Sequence, residues 1–427
     1  MKKIENFLEM IVALTLILDC NSIWAKQIMP KGNSLLFYVS IFLLFIIVVK
    51  DILKDKYILL KNKKLFLRTA LTIVIIDLIS FIFILFNNFN SGSFVLKFIL
   101  LFNLFVILLV TKSISGNLND LLIKISNIIC FFALISLILY FLGFVLKIIS
   151  PNLQVLLNWG DERYVNSYYN LLYETQYFSI FGMRLVRNTG IFTEAPMYAF
   201  LLIIALTVQL FFYEVKPNKT KISILVITTI TTFSTIGIGS LSLLIILYFL
   251  NQMKTGDYKK ILKNKVVIFI MACSFILSAA FIYQKIEASR DKMGSYSIRM
   301  DDFKVGIEVW KKNKIFGAGY ENYDFFKQHV DKSLRGTDIG GSSGIMHIMM
   351  HGGIWLLMLN VVPYLLCIYV SFKNKDNKNI IICLLFLGLL LVTAVQYTFI
   401  TIYLLARALS VFLIDYKKEE GLLYEKV

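Results

Sequence analysis

The stretch Arg184-Leu185-Val186-Arg187-Asn188-Thr189-Gly190-Ile191-Phe192-Thr193-Glu194-Ala195-Pro196-Met197-Tyr198 lies where a long polar segment meets an apolar run. Two arginines precede the run. Thr193 is placed to cap a helix, with Pro196 in its first turn, where a missing N–H costs little. Such a helix start turns free N–H groups toward the arginines and makes a place for an anion such as phosphate. Glu194 either offsets part of that positive field or is the group that acts. A plainer reading of the same residues is a charged anchor beside a membrane.

Outward from this stretch the chain is apolar. Of 427 residues, 58% are hydrophobic and 17% charged, and runs near twenty apolar residues recur from end to end. The expected fold class is an all-α polytopic membrane protein, one integral membrane domain over 1–427. The start, Met1 to Glu5 and then an apolar run, lacks a small-residue cleavage pattern and reads as the first span. A net charge of +17 would suggest nucleic acid in a soluble protein. Here much of the Lys and Arg falls in short loops between spans, so it reads as topology, and no nucleic-acid partner is expected. Cys20, Cys130, Cys273, Cys367 and Cys383 all sit in apolar segments without metal spacing. They predict neither a disulfide framework nor a metal site.

Twelve spans are expected: 5–24, 35–49, 66–86, 94–111, 125–149, 195–213, 222–235, 238–250, 266–283, 345–372, 380–396 and 399–414. The region 222–250 reads as one long helix or as two short ones breaking at 235–239. Charge favours two. Lys216, Lys219 and Lys221 lie before it, and Lys254, Lys259, Lys260, Lys263 and Lys265 after it. Both flanks then belong to the cytoplasmic side. Spans this short imply backbone that faces protein or a wet cavity. The same rule places both termini and the basic segment 50–68 inside, and leaves two long loops, 150–194 and 284–344, outside.

The first loop is rich in aromatics, among them Trp159, Tyr164, Tyr168, Tyr169, Tyr173 and Tyr177. Such rings stack on sugar faces and also settle at membrane interfaces. In the second loop Phe303, Ile307 and Trp310 recur at helical spacing, which predicts a surface helix over 297–313, broken by Gly317-Ala318-Gly319. Asp77 and Arg407 fall inside spans, where an ionisable group is costly unless paired or wet. They read as facing the bundle interior, either paired with each other or serving a relay.

The candidate anion ligands are Arg184, Arg187, Arg290, Arg299 and Arg335, each able to present a fork of donors to phosphate oxygens. His347 and His351 lie one helical turn apart at the start of a span and share a face. They are a candidate general-base pair, or interfacial side chains satisfied by backbone. No third ligand stands near them, so no metal is expected. No Gly-Lys phosphate loop and no Rossmann glycine pattern is present.

The segment Arg187-Asn188-Thr189-Gly190-Ile191-Phe192-Thr193-Glu194-Ala195-Pro196 resembles the Arg/Gly/Phe/Glu-Pro segment of the bacterial O-antigen ligase and polymerase superfamily. So do the short-helix pair with Thr232-Phe233-Ser234, Arg299 followed by Trp310, and Phe316-Gly317-Ala318-Gly319-Tyr320-Glu321-Asn322-Tyr323. Gly353-Ile354 is the last match. The resemblance runs from about Arg184 to Ile354. It implies a GT-C-like membrane glycosyltransferase, most like a Wzy-type capsule or exopolysaccharide polymerase. Such an enzyme works at the outer face of the bacterial cytoplasmic membrane, without metal or other cofactor. Its substrate is an undecaprenyl-pyrophosphate-linked oligosaccharide, and flippase and chain-length regulator proteins are further partners. By the resemblance Arg187 and Arg299 hold the pyrophosphate; Arg184 and Arg335, as external arginines, and Tyr320 in the glycine segment complete the substrate-binding candidates. Gly317 and Gly319 let backbone approach it. The ligases also carry a His near the end of the second loop, and counting back from Gly353 places that position near Gly341-Ser342. The base therefore stays open among His347, His351 and Glu194.

The chemistry asks little more. Pyrophosphate is a good leaving group, so the protein must hold its charge, expose the anomeric carbon and take a proton from the acceptor hydroxyl. A lipid-linked oligosaccharide flippase and a ligase-type transferase to another acceptor are the competing readings. Long external loops weigh against the flippase. A metal-dependent oligosaccharyltransferase would need acidic ligands in the early external loop, and residues 25–34 contain none.

Overall fold

The computed structural model describes residues 2–54, 62–87, 89–159, 161–180, 183–213, 217–252, 283, 295–335 and 341–424. These are mostly helical. Six helices are long and apolar enough to cross a membrane: α2 (Pro30–Lys54), α3 (Lys63–Phe86), α4 (Ser91–Ile114), α5 (Asp120–Val145), α8 (Thr235–Gln252) and α12 (Gly344–Lys373). The other helices falling on expected spans are α1 (Lys2–Leu18), α6 (Ala195–Phe211), α7 (Lys219–Thr231), α13 (Asn377–Val392) and α14 (Phe399–Tyr424). The expected span 266–283 lies, but for Tyr283, outside the described residues.

Helix α6 is the axis of the bundle. Its sequence is apolar all round, and it is buried on nearly every side against α5, α7, α8 and α13. A helix with no polar face has to sit inside. Small polar residues tie it to its neighbours: Ser126 Oγ donates to the Ala205 carbonyl at 3.0 Å, and Ser136 and Tyr198 share a hydroxyl hydrogen bond of 2.8 Å. Helices α2 and α3 instead expose long apolar flanks, including Phe42, Phe45, Leu71, Leu78 and Leu85, as lipid-facing helices do.

The region 222–250 is two helices. They part at Thr232-Phe233-Ser234, a few residues before the expected break, where Phe233 takes a left-handed φ of 44°. At 13 residues, α7 reaches about 20 Å, short of the roughly 30 Å of a bilayer core.

The segment 150–194 departs from an all-helical reading. It forms an antiparallel sheet of β1 (Leu153–Trp159), β2 (Asp161–Tyr168) and β3 (Leu172–Tyr173), followed by a hairpin of β4 (Tyr177–Ile180) and β5 (Met183–Val186). The register pairs Leu153 with Ser167 and Leu157 with Arg163. Val155 and Leu157 face inward while Gln154, Leu156 and Asn158 are exposed, the period-2 burial of a half-buried strand. Leu157 and Val165 are buried.

Asp77 and Arg407 are not partners. The Asp77 carboxylate accepts both contacts from Asn103 Nδ2, at 2.9 and 3.0 Å. Arg407 Nη2 donates to Asn119 Oδ1 at 2.9 Å, with its guanidinium over the Phe212 ring. Each is engaged by a neutral amide and not by the other, which removes the mutual pairing, one of the two readings of the sequence.

Candidate functional site

Helix α12 breaks at Gly353, which takes φ 57° and ψ −151°. The segment after α9 (Ser295–Lys312) fills the break. Ala318 and Gly319 donate their N–H groups to the carbonyls of Met350 and His351 at 2.7 and 3.3 Å; Ile354 and Trp355 donate to those of Lys314 and Ile315 at 2.9 and 3.2 Å. The backbone groups released by the break are thus re-paired, as a buried helix break requires. Asn87 locks the joint: its Nδ2 donates to the carbonyls of Phe316 and His351 at 2.6 and 2.8 Å, and its Oδ1 accepts from Tyr320 N at 2.9 Å.

Gly317 also serves the fold itself. A Cβ there would lie 2.3 Å from Gly352 N. The close approach that the glycine permits is taken by the backbone of α12. At Gly319 the neighbours are Asn322 and Phe89.

The break fixes two histidines. His347 and His351 are both buried, with ring centroids 5.5 Å apart. On α10 (Tyr323–His329), Tyr323 meets both rings edge-on, and Phe326 covers His347. His351 Nδ1 is 3.0 Å from the Tyr397 hydroxyl, and Tyr320 packs on Tyr397 at 4.8 Å. The edge of the His347 ring lies against Gly341: a Cβ there would fall 2.2 Å from Nε2. Next to it, Ser342 donates its N–H and hydroxyl to Asp302 Oδ2 at 2.7 and 2.5 Å.

The second part of the site surrounds Glu194. It is the N-cap residue of α6, one position after the Thr193 expected from sequence, and its own side chain does not cap. Gln176 does so instead, accepting from Ala195 N at 3.1 Å. Arg187 is buried. Its Nε donates to the Thr232 carbonyl at the end of α7, at 2.9 Å. There the guanidinium meets the negative end of a helix. Burial pulls Arg187 down to about 10, against the attraction of Glu194 and with the repulsion of Arg299. Burial lowers Arg299 too, against Asp302 and Glu194. Two arginines from distant segments are thus within reach of each other's charge, with Glu194 as shared counter-ion.

The charges continue round the site. Glu194 also acts on Lys26, and Lys26 on Asp19. Asp19 accepts from Phe399 N at 2.8 Å and feels Lys97 and Glu321, themselves paired at 2.8 Å. Lys97 stands 5.9 Å over the Tyr397 ring, which holds His351. From His347 the path returns through Gly341-Ser342 and Asp302 to Arg299. The expected residues Arg187, Arg299, Glu194, His347, His351 and Tyr320 all lie on this circuit.

Others do not. Arg184 stacks on the Tyr177 ring at 3.9 Å, in a groove of the sheet. Arg335 ends the short helix α11 (Lys332–Arg335), and its side chain, like Arg290, lies outside the described residues. Sequence reasoning missed Asp19, Asn87, Lys97, Asp302, Glu321 and Tyr397. Asp19 and Lys97 carried a signal, since each is an ionisable group at the margin of an apolar run. No protein-family model matches this sequence, and no curated protein matches it.

Proposed function

We propose that this chain is a membrane glycosyltransferase that polymerises undecaprenyl-pyrophosphate-linked oligosaccharide repeats. It works at the outer face of the bacterial cytoplasmic membrane, with twelve crossings, a GT-C-like fold and both termini inside. The observation that supports this reading is that buried Arg187 and half-buried Arg299 both feel the charge of Glu194. The two guanidiniums repel each other and are partly stripped of water. A pyrophosphate between them relieves both costs and accepts bidentate hydrogen bonds.

In the proposed step the acceptor hydroxyl oxygen attacks the anomeric carbon of the growing glycan. The carbon–oxygen bond to the lipid pyrophosphate breaks, and the pyrophosphate leaves with the electron pair, held by Arg187 and Arg299. His347 takes the hydroxyl proton, having the side chain whose ordinary pKa lies nearest external pH. His351, bonded to Tyr397 and tilted against His347, keeps that ring in place. Glu194 holds the arginines together until substrate arrives.

Deletion of the gene followed by analysis of lipid-linked intermediates tests the reading. Single repeats accumulating on the outer face are expected. Repeats trapped on the cytoplasmic side would make the protein a flippase instead, and full-length polymer awaiting transfer would make it a ligase.

A further inference from the structure

Outside the circuit, the sheet carries a groove of about 320 Å³ between β2, the segment 174–176 and the β4–β5 hairpin. Its charge is arranged unevenly. The Glu174 carboxylate is already engaged by Asn166 Nδ2 at 2.8 Å and by the hydroxyls of Tyr168 and Tyr177 at 3.1 and 3.3 Å. Arg163 uses one Nη2 contact, to the Thr175 carbonyl at 3.2 Å, and Arg184 lies flat on Tyr177. Both arginines are exposed, so donor edges of two guanidiniums remain for a ligand. A second observation points the same way: Thr175, 4% exposed, lines the groove with a buried Oγ1 that has no hydrogen-bond partner among the described residues. Tyr164 stands at the rim, 72% exposed.

We infer that this groove binds an acidic sugar of the glycan, with its carboxylate between Arg163 and Arg184 and a sugar face on Tyr164. Aromatic faces take the C–H side of a pyranose, and arginine forks take carboxylates. The groove joins the circuit through Gln176. Its carbonyl accepts from Arg187 N at 3.0 Å, and its side chain caps α6 beside Glu194. A glycan seated here runs toward the reacting end. The identification of the ligand as glycan rests on the polymerase reading; the groove and its charge do not.

The test is equilibrium binding to the full-length protein in lipid nanodiscs, which needs no transfer reaction. The probes are a tetrasaccharide carrying two uronate carboxylates and a neutral tetrasaccharide. The acidic probe is expected to bind at least tenfold more tightly, and less so at higher salt. Tyr164→Ala, at an exposed position with no fold role, and Arg184→Gln are each expected to weaken it about tenfold. Equal binding of the two probes, no binding of either, or unchanged binding in both variants overturns the inference. None of these results bears on the lipid-linked intermediates, by which the polymerase reading stands or falls.

Discussion

Arg187 donates its Nε hydrogen to the carbonyl of Thr232, 45 positions along the chain, at 2.9 Å. One bond thereby ties the start of the α6 segment to the break between α7 and α8 and holds the guanidinium within the field of Glu194 and Arg299. A lysine keeps the charge and loses the fork. Arg187→Lys and Arg299→Lys are each expected to cut polymer formation about ten- to hundredfold, since a lost charge-assisted hydrogen bond is worth roughly 1.5–3 kcal/mol. The readout is polymer on gels at matched membrane abundance. Full activity in both variants would exclude the pyrophosphate role.

Gly317 is expected to be intolerant for a steric reason. Its φ of 71° costs an L side chain roughly 1–2 kcal/mol, and the added Cβ would meet the α12 backbone at 2.3 Å. Gly317→Ala is therefore expected to lower the thermal midpoint and the yield of the purified protein. Gly92→Ala, where nothing lies within 4 Å, is the control and is expected to leave both unchanged. Equal stability of the two variants would contradict the docked joint.

The histidines are expected to separate. His347→Ala should abolish polymer while lipid-linked single repeats still form at normal protein level. His351→Ala removes the Tyr397 contact and should lower abundance or activity only in part. Gly341→Ala drives a Cβ into the His347 ring, so it should mimic His347→Ala. Normal polymer from His347→Ala, with none from Glu194→Gln, would give the base role to the carboxylate.

Topology is open to direct labelling. Cys20, Cys130, Cys367 and Cys383 are buried, which keeps background from these four low. Gln154→Cys and Ser333→Cys sit at exposed positions of the two loops, and Lys63→Cys at an exposed position before α3. An impermeant thiol reagent on intact cells is expected to label the first two and spare the third. Labelling of position 63 alone would invert the orientation.

The sequence by itself determined where most of the described helices lie, because apolar length is a local property that a bilayer reads directly. It also named Arg187, Arg299, Glu194, His347 and His351, because charged and titratable groups beside apolar runs stand out. It left the sheet unread: the period-2 signal in Leu153–Trp159 is short and sits among aromatics with several possible uses. Only the tertiary structure decided what those residues do to one another. Arg299 comes within the electrostatic field of Arg187 while α9 packs on α12, and α9 is seated there by the exchange of backbone hydrogen bonds between 314–319 and 350–355. That exchange depends on Gly317, Gly353 and Asn87, which are more than 200 residues apart at the extremes. Long-range pairing of backbone groups leaves no periodic trace in a sequence, so the roles of these residues came from the fold alone.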